Sequence, residues 1–232
     1  MFTMITSRIP RLYFGVLILC LWPTPLHGAT IYSNLFEPGD LYGPDPVGIG
    51  AIPVPGFFQY FATNFSVPGQ NYRLGTLELP LSPVQGLPEV DVFLMADSGN
   101  LPGTVLEQFH VTVVPTPPGA VPGLLAIPSV VQPLLLSGHQ YWVAATGGTP
   151  STFAVWSLTL FTGDPIGGGA SRVIQNGIDL GWVNNPGTRL AALRVSGDPV
   201  SAVPEPSPIM LMGGGLIALR RARRILGVKP SR

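Results

Sequence analysis

Short runs of alternating or β-branched apolar residues recur along the middle of the chain, and turn-forming residues separate them. Such runs are typical of β-strands. No segment combines helical periodicity over three turns with capping residues at its ends. The pattern therefore predicts strands at residues 57–67, 73–79, 90–96, 104–114, 140–145, 152–161, 171–175 and 188–195.

The clearest pair of strands flanks residues 97–103. The sequences VDVFLMA and TVLEQFHVTV lie on either side of this loop, whose Gly, Asn and Pro residues favour a tight reversal. We therefore expect a β-hairpin between residues 90 and 114. The number of strands and turns predicts an all-β domain folded as a β-sandwich, with jelly-roll-like or immunoglobulin-like layering.

Residues 1–29 have the pattern of a secretory signal peptide. Arg8 and Arg11 precede an apolar run at 12–21, which is too short to span a bilayer comfortably. Small residues at 28–29 offer a cleavage site. We expect a signal helix that is removed on export, and the alternative is an uncleaved N-terminal anchor.

Residues 200–232 form a second segment with its own pattern. A Pro-Glu-Pro motif at 203–207 leads into an apolar run at 209–219, and a basic end follows at 220–232. An apolar stretch that ends in clustered arginines is a stop-transfer signal, with the positive end held in the cytoplasm. The sequence thus predicts a short C-terminal transmembrane helix. Its membrane stop consists of Arg220, Arg221, Arg223 and Arg224.

This tail resembles the PEP-CTERM protein-sorting signal. The resemblance implies recognition by an exosortase, a membrane-embedded cysteine transpeptidase of Gram-negative bacteria. Pro204, Glu205 and Pro206 would be the recognition or cleavage elements. The inner membrane would be a transient location, and the cell surface or extracellular matrix the final one.

Composition and charge change the picture of residues 30–199, the predicted exported domain. The whole chain has 12 basic and 12 acidic residues and a formal net charge of zero. Residues 30–199, however, contain eleven acidic and four basic residues, a net charge of about −7. Such a surface repels polyanions and excludes nucleic acid as a partner. Cys20 is the single cysteine, which excludes a disulfide framework and a multi-cysteine zinc site.

Four segments of this domain form a second recognisable pattern. They are ATNFSV at 62–67, LGTLEL at 74–79, VFL at 92–94 with LPGTVL at 101–106, and LSGHQYWV at 136–143. The domain is similar to the bacterial choice-of-anchor domains, most nearly the choice-of-anchor R type. The resemblance implies an exported β-sandwich that occurs with varied anchoring tails, and it supplies no catalytic residues.

Residues that carry catalytic chemistry are sparse in the exported domain. His110 and His139 are its only histidines, and neither lies at metal-ligand spacing from other ligands. No Gly-x-Ser-x-Gly elbow is present. Glu89 and Asp91 share one face of a strand, as many solvated acidic pairs do. We predict a non-enzymatic domain with no catalytic residues, no metal and no cofactor.

Three other functions stay open as alternatives. Aromatic side chains stack on sugar rings when they line a groove, and this pattern favours a module that binds extracellular polysaccharide. The candidate aromatic residues are Tyr141, Trp142, Trp156 and Trp182, of which Trp142 and Trp156 are expected to pack between the sheets. Loop oxygens of Asp97 and Asn100 suit calcium, which would make the protein a calcium-binding adhesin. A secreted hydrolase is the last alternative.

Overall fold

The computed structural model describes residues 28–36, 39–117, 120–160 and 168–200. Within these ranges the chain forms strands and loops and contains no helix, so the all-β prediction is confirmed. No membrane-spanning helix is found in the described part of the chain. The predicted signal helix and the predicted helix at 209–219 lie outside it.

Thirteen strands follow one another in the described ranges, and every pair that forms is antiparallel. They are β1 Ala29–Ser33, β2 Pro46–Gly50, β3 Phe57–Ser66, β4 Tyr72–Gln85, β5 Glu89–Asp97, β6 Pro102–Thr112, β7 Leu124–Pro128, β8 Leu134–Leu135, β9 Gln140–Gly147, β10 Phe153–Ser157, β11 Gly169–Gln175, β12 Ile178–Asn185 and β13 Arg194–Pro199. Together they build one curled open sheet. The predicted hairpin is present as β5 and β6.

The sheet has two regions. The front region contains six strands in the order β12-β11-β3-β9-β5-β6. The back region contains β1, β13 and the first half of β4, with β7 and β8 on the other edge of β4. Strands β10 and β2 connect them, because β10 pairs with both β4 and β2, and β2 meets β3 through Gly50 and Gln59.

Strand β4 is longer than the predicted strand at 73–79. It pairs with β13 as far as Glu78 and with β10 from Leu81 onward. Pro80 therefore lies where the strand changes partner, and Pro83 lies beside a register shift in the β4–β10 ladder. Proline lacks a backbone N–H and is tolerated only where the ladder does not need one. The strand continues through both prolines for this reason.

The hydrophobic core lies between the two regions. One cluster combines buried side chains of the front region, such as Phe65 and Val92, with Leu77 and Val195 of the back region. The ring of Tyr32 in β1 lies 5.8 Å from the ring of Phe65, although β1 and β3 do not pair. The curl of the sheet brings these unpaired strands face to face.

A buried carboxylate ties the edge of the front region to the back region. Glu107 in β6 is only 5% exposed. It accepts hydrogen bonds from the Ser129 hydroxyl (2.5 Å) and from the N–H groups of Val130 (2.7 Å) and Val131 (3.0 Å). These three donors belong to the segment between β7 and β8. The carboxylate thus replaces strand pairing at this point.

Residues 190–193 are buried but do not form the strand predicted at 188–195, and β13 begins only at Arg194. Their backbone groups do not form a continuous ladder. Some bond to neighbouring backbone, as the Ala192 N–H does to the Ser157 carbonyl (2.9 Å), and others bond to side chains. Asn34 Nδ2 donates to the Ala191 carbonyl (2.9 Å), and the Leu193 N–H donates to Asn34 Oδ1 (2.7 Å). The Trp156 indole N–H donates to the Ala192 carbonyl (2.8 Å).

Replacing Asn34 by alanine should destabilise the fold. The change leaves the Leu193 N–H and the Ala191 carbonyl buried without these partners, which costs about 2–4 kcal/mol in the free energy of unfolding. Urea denaturation of the variant measures this loss. Asn184→Ala, at an exposed site in β12, is the matched control and should stay within about 0.5 kcal/mol of the parent. Equal stability of both variants would contradict this account.

Candidate functional site

Four aromatic side chains project from the outer face of the front region. Successive residues of a strand point to opposite faces, and the inner face of these strands forms the core. The outer face therefore presents a separate surface. We call Phe58, Tyr60, Phe93 and Trp182 the aromatic face. All four side chains are half-buried.

Tyr60 is the centre of the aromatic face. Its ring centroid lies 5.8 Å from that of Phe58, 6.3 Å from that of Phe93 and 6.2 Å from that of Trp182. The Phe58 and Trp182 rings meet Tyr60 edge-on, each at 71°. Aromatic rings prefer this edge-to-face geometry because their electrostatic quadrupoles attract.

A second hydrophobic cluster supports the aromatic face from below. It includes Ala62, Ala144 and Ala170, all of which are at most 1% exposed although they lie on the outer face. Phe93 and Trp182 pack against this cluster. Because the side chains in three neighbouring strands are small, the large rings can pack close to the sheet, and this packing fixes their positions.

Arg172 and Asp179 form an ion pair at one end of the aromatic face. Arg172 is opposite Tyr60 in the β11–β3 ladder and opposite Trp182 in the β11–β12 ladder. Its guanidinium lies 5.3 Å from the centre of the Tyr60 ring and hydrogen-bonds to both carboxylate oxygens of Asp179. The Arg172 hydrogen bond, with one from the Gly181 N–H, lowers the pKa of Asp179 to about 2.

His110 and two carboxylates lie at the other end of the same face. Asp91 pairs with His110 across β5 and β6, and its Oδ1 lies 2.7 Å from His110 Nδ1. Glu89 Oε2 lies 3.7 Å from His110 Nε2. The hydrogen bond to Asp91 raises the pKa of His110, and the charges of Asp91 and Glu89 add to this effect.

An open cleft of about 770 Å³ adjoins the aromatic face. Phe58, Tyr60, Asp91 and Thr146 line one side, and the loops around residues 51–56 and 147–151 complete it. Gly50 allows the loops to meet, since its φ is +81° and a Cβ there would lie 2.2 Å from the Thr152 carbonyl oxygen. The cleft has the volume of a small-molecule site.

The aromatic residues singled out in the sequence fall in three different places. Trp156 is fully buried in the main core, as expected, and Tyr141 lies in the same core. Trp142 is also buried, but in the cluster below the aromatic face. Only Trp182 belongs to the aromatic face. Phe58 and Tyr60 went unrecognised in the sequence, although their spacing of two residues in β3 is the signal of a shared face.

The candidate calcium residues Asp97 and Asn100 lie together in the β5–β6 hairpin. Asp97 Oδ1 accepts hydrogen bonds from the Trp142 indole N–H (2.8 Å) and from Gln140 Nε2 (2.9 Å). Asp97 Oδ2 accepts one from the Asn100 N–H (3.2 Å). Both oxygens thus have protein donors. No group of three or more His, Cys, Asp or Glu that could hold a metal occurs in the described ranges.

The predicted sorting residues lie outside the described part of the chain, but the comparisons with known proteins bear on them. Residues 202–224 match the family model of the PEP-CTERM protein-sorting motif. The match confirms the predicted sorting signal and supports an exported protein that is sorted through its C-terminus. It implies recognition by an exosortase and a membrane-associated sorting step. No curated protein and no solved structure matches the chain.

His110 should titrate above the usual pKa of histidine in the folded protein. Replacing Asp91 by asparagine removes the main cause and should bring the pKa of His110 back down. NMR titration of the imidazole protons measures both values. Because the folded pKa is raised, the stabilisation from this pair is complete below the unfolded pKa and disappears as the pH rises through the folded one. An unchanged His110 pKa in Asp91→Asn would contradict the assignment.

Proposed function

We propose that this protein is an exported surface or matrix protein, with a non-catalytic β-sandwich that an exosortase-type transpeptidase delivers. The sorting motif at 202–224 is the observation that carries the proposal. The core between the two regions of the curled sheet supports a sandwich. Ala29 is the first residue of β1 and pairs with Gly197, so removal of the leader near residue 28 would leave the domain complete.

The proposed role of the domain needs no catalytic group and no cofactor. The carboxylate of Asp97 already accepts three hydrogen bonds from protein donors, so a calcium ion would have to displace them. The resemblance to choice-of-anchor R domains agrees with a structural or binding role.

Only a short stretch of sequence separates the described domain from the Pro-Glu-Pro motif. The Val200 N–H donates to the Asn71 carbonyl (2.9 Å), and only three residues separate Val200 from Pro204. Because an extended chain spans about 3.5 Å per residue, the length of this connection limits the separation of Val200 and Pro204 to roughly 14 Å at most. The transpeptidase would therefore work next to the folded surface.

Changes in the tail should separate membrane insertion from processing. With Arg220, Arg221, Arg223 and Arg224 all replaced by asparagine, the tail should lose its membrane stop and the chain should be released unprocessed. Glu205→Ala should leave insertion intact and impair processing. Intact mass and membrane fractionation, in hosts with and without the exosortase, distinguish the two results.

Glu89→Ala, outside the tail, is the control for the tail variants and should be processed like the parent protein. The expected parent mass in the exosortase-containing host ends near residues 204–206 or carries an added group there. A mass that still extends to Arg232 in both hosts would contradict the sorting proposal.

Carbohydrate binding is a second candidate function, which the aromatic face favours. Tyr60 contacts three other aromatic rings and also lines the open cleft. The exposed surfaces of aromatic rings that a sheet holds in place can contact the C–H faces of sugar units. Nearby polar groups would then bond to the sugar hydroxyls.

Tyr60→Ala and Trp182→Ala should each weaken retention on polysaccharide by about tenfold or more, because each removes a ring of the aromatic face. Affinity electrophoresis of the processed protein through gels that contain a soluble glucan or mannan measures the change. Phe36→Ala, an aromatic 38% exposed and remote from the aromatic face, is the control and should migrate like the parent. If no polysaccharide slows the migration of the parent protein, this candidate function is rejected.

A further inference from the structure

The outer face of the front region contains more negative than positive charge. Among the residues that the structure describes, its acidic side chains are Glu89, Asp91, Asp97 and Asp179, and its basic side chains are Arg172 and His110. With His110 neutral, the formal charge of this face is about −3, and with His110 protonated it is about −2. The excess has the same sign as the net charge of the whole exported domain.

The two basic groups are already matched by carboxylates. Arg172 donates two hydrogen bonds to Asp179 and covers the Tyr60 ring. His110 lies between Asp91 and Glu89, with one ring nitrogen near each. An anionic ligand would have to displace one of these carboxylates to gain a cationic partner. That exchange replaces one ion pair with another and leaves an unpaired carboxylate beside the ligand.

Several uncharged polar side chains lie on the described part of this surface. Among the described residues, no hydrogen-bond partner is found for the Tyr60 hydroxyl or for the side-chain amides of Gln85 and Gln108. Gln85 lines the cleft. Gln108 is exposed and lies opposite Phe93 in the β5–β6 ladder. Each of these groups can donate and accept hydrogen bonds, as the hydroxyl groups of sugars can.

We infer that the aromatic face and its cleft select a neutral polysaccharide and reject polymers that carry uronate or sulfate groups. This inference rests on the proposed carbohydrate binding and adds the class of ligand. Contact with the exposed surfaces of the aromatic face, together with hydrogen bonds to the Tyr60 hydroxyl and the two amides, provides the attraction. The excess of carboxylates provides the discrimination.

The discrimination should depend on salt. The carboxylates lie at the protein surface, where charges interact over about 10 Å at 0.1 M ionic strength and about 3 Å at 1 M. Rejection of a polyanion should therefore weaken as salt is added. Stacking and neutral hydrogen bonds do not weaken in this way, so affinity for a neutral polymer should stay nearly constant.

The test compares a neutral glucan with a polyuronate of similar chain length, using affinity electrophoresis of the processed protein. At low salt the parent protein should bind the neutral polymer at least about tenfold more tightly. Asp179→Asn removes the carboxylate that pairs with the Arg172 guanidinium. The ratio of the affinity for the neutral polymer to the affinity for the polyuronate should therefore fall by about tenfold. The asparagine keeps an oxygen for the Gly181 N–H, which preserves this hydrogen bond within β12.

Asp198→Asn is the matched control, since it changes the net charge by the same amount in β13 of the back region. It should leave the preference for the neutral polymer unchanged. Thermal melting of each variant shows whether it is folded.

Three results would overturn the inference in different ways. Equal binding of both polymers by the parent, with both lost in Tyr60→Ala, would reject the charge selection and keep carbohydrate binding. If Asp179→Asn and Asp198→Asn change the preference for the neutral polymer equally, the net charge of the protein, and not the charge of this face, causes the selection. If neither polymer is retarded, or if Tyr60→Ala binds like the parent, carbohydrate binding at this face is rejected together with the inference.

Discussion

The pairing of β4 with four other strands is the constraint on which the rest of the structure depends. Its first half pairs with β13 on one edge and with β7 and β8 on the other, and its second half pairs with β10. Because β10 leads through β2 to β3, this one strand carries the sheet from the back region into the front region. The core can close only because the sheet curls along this route, and Glu107 ties its far edge back to the segment after β7.

The front region supports two hydrophobic clusters, one on each face, and this explains where a binding surface can form. The side chains of the inner face pack in the main hydrophobic core. On the outer face, the buried alanines and Trp142 hold the half-buried rings in place. Sites built on strands are positioned more accurately than sites on loops. Strands therefore set the positions of the rings of the aromatic face, and only the cleft beside it depends on loops.

The sequence predicted the all-β class, the β5–β6 hairpin and the sorting tail, because alternation, turn residues and the tail motif are local signals. Strand β12 was missed although Asn176 and Gly177, both with positive φ, are a typical hairpin turn. The apolar run 190–193 indicated a strand, yet it forms only an isolated bridge between Ala191 and Leu158, and part of its backbone bonds to the side chains of Asn34 and Trp156. The aromatic face combines residues from 58 to 182, and only the long-range register of β3, β5, β11 and β12 brings them together. Local patterns do not contain that register.

The pairing of β1 with β13 has a consequence for the order of events during export. β13 lies between β1 and β4, so the first and last strands of the domain are neighbours. A chain that is translocated from its N-terminus presents β1 early, but β1 has no partner until the residues around Gly197 have crossed. Long-range pairing of this kind is slow to form. Closure of the domain therefore coincides with arrival of the sorting motif at the membrane, and a chain truncated before β13 would expose an unpaired β1 and an open edge of β4.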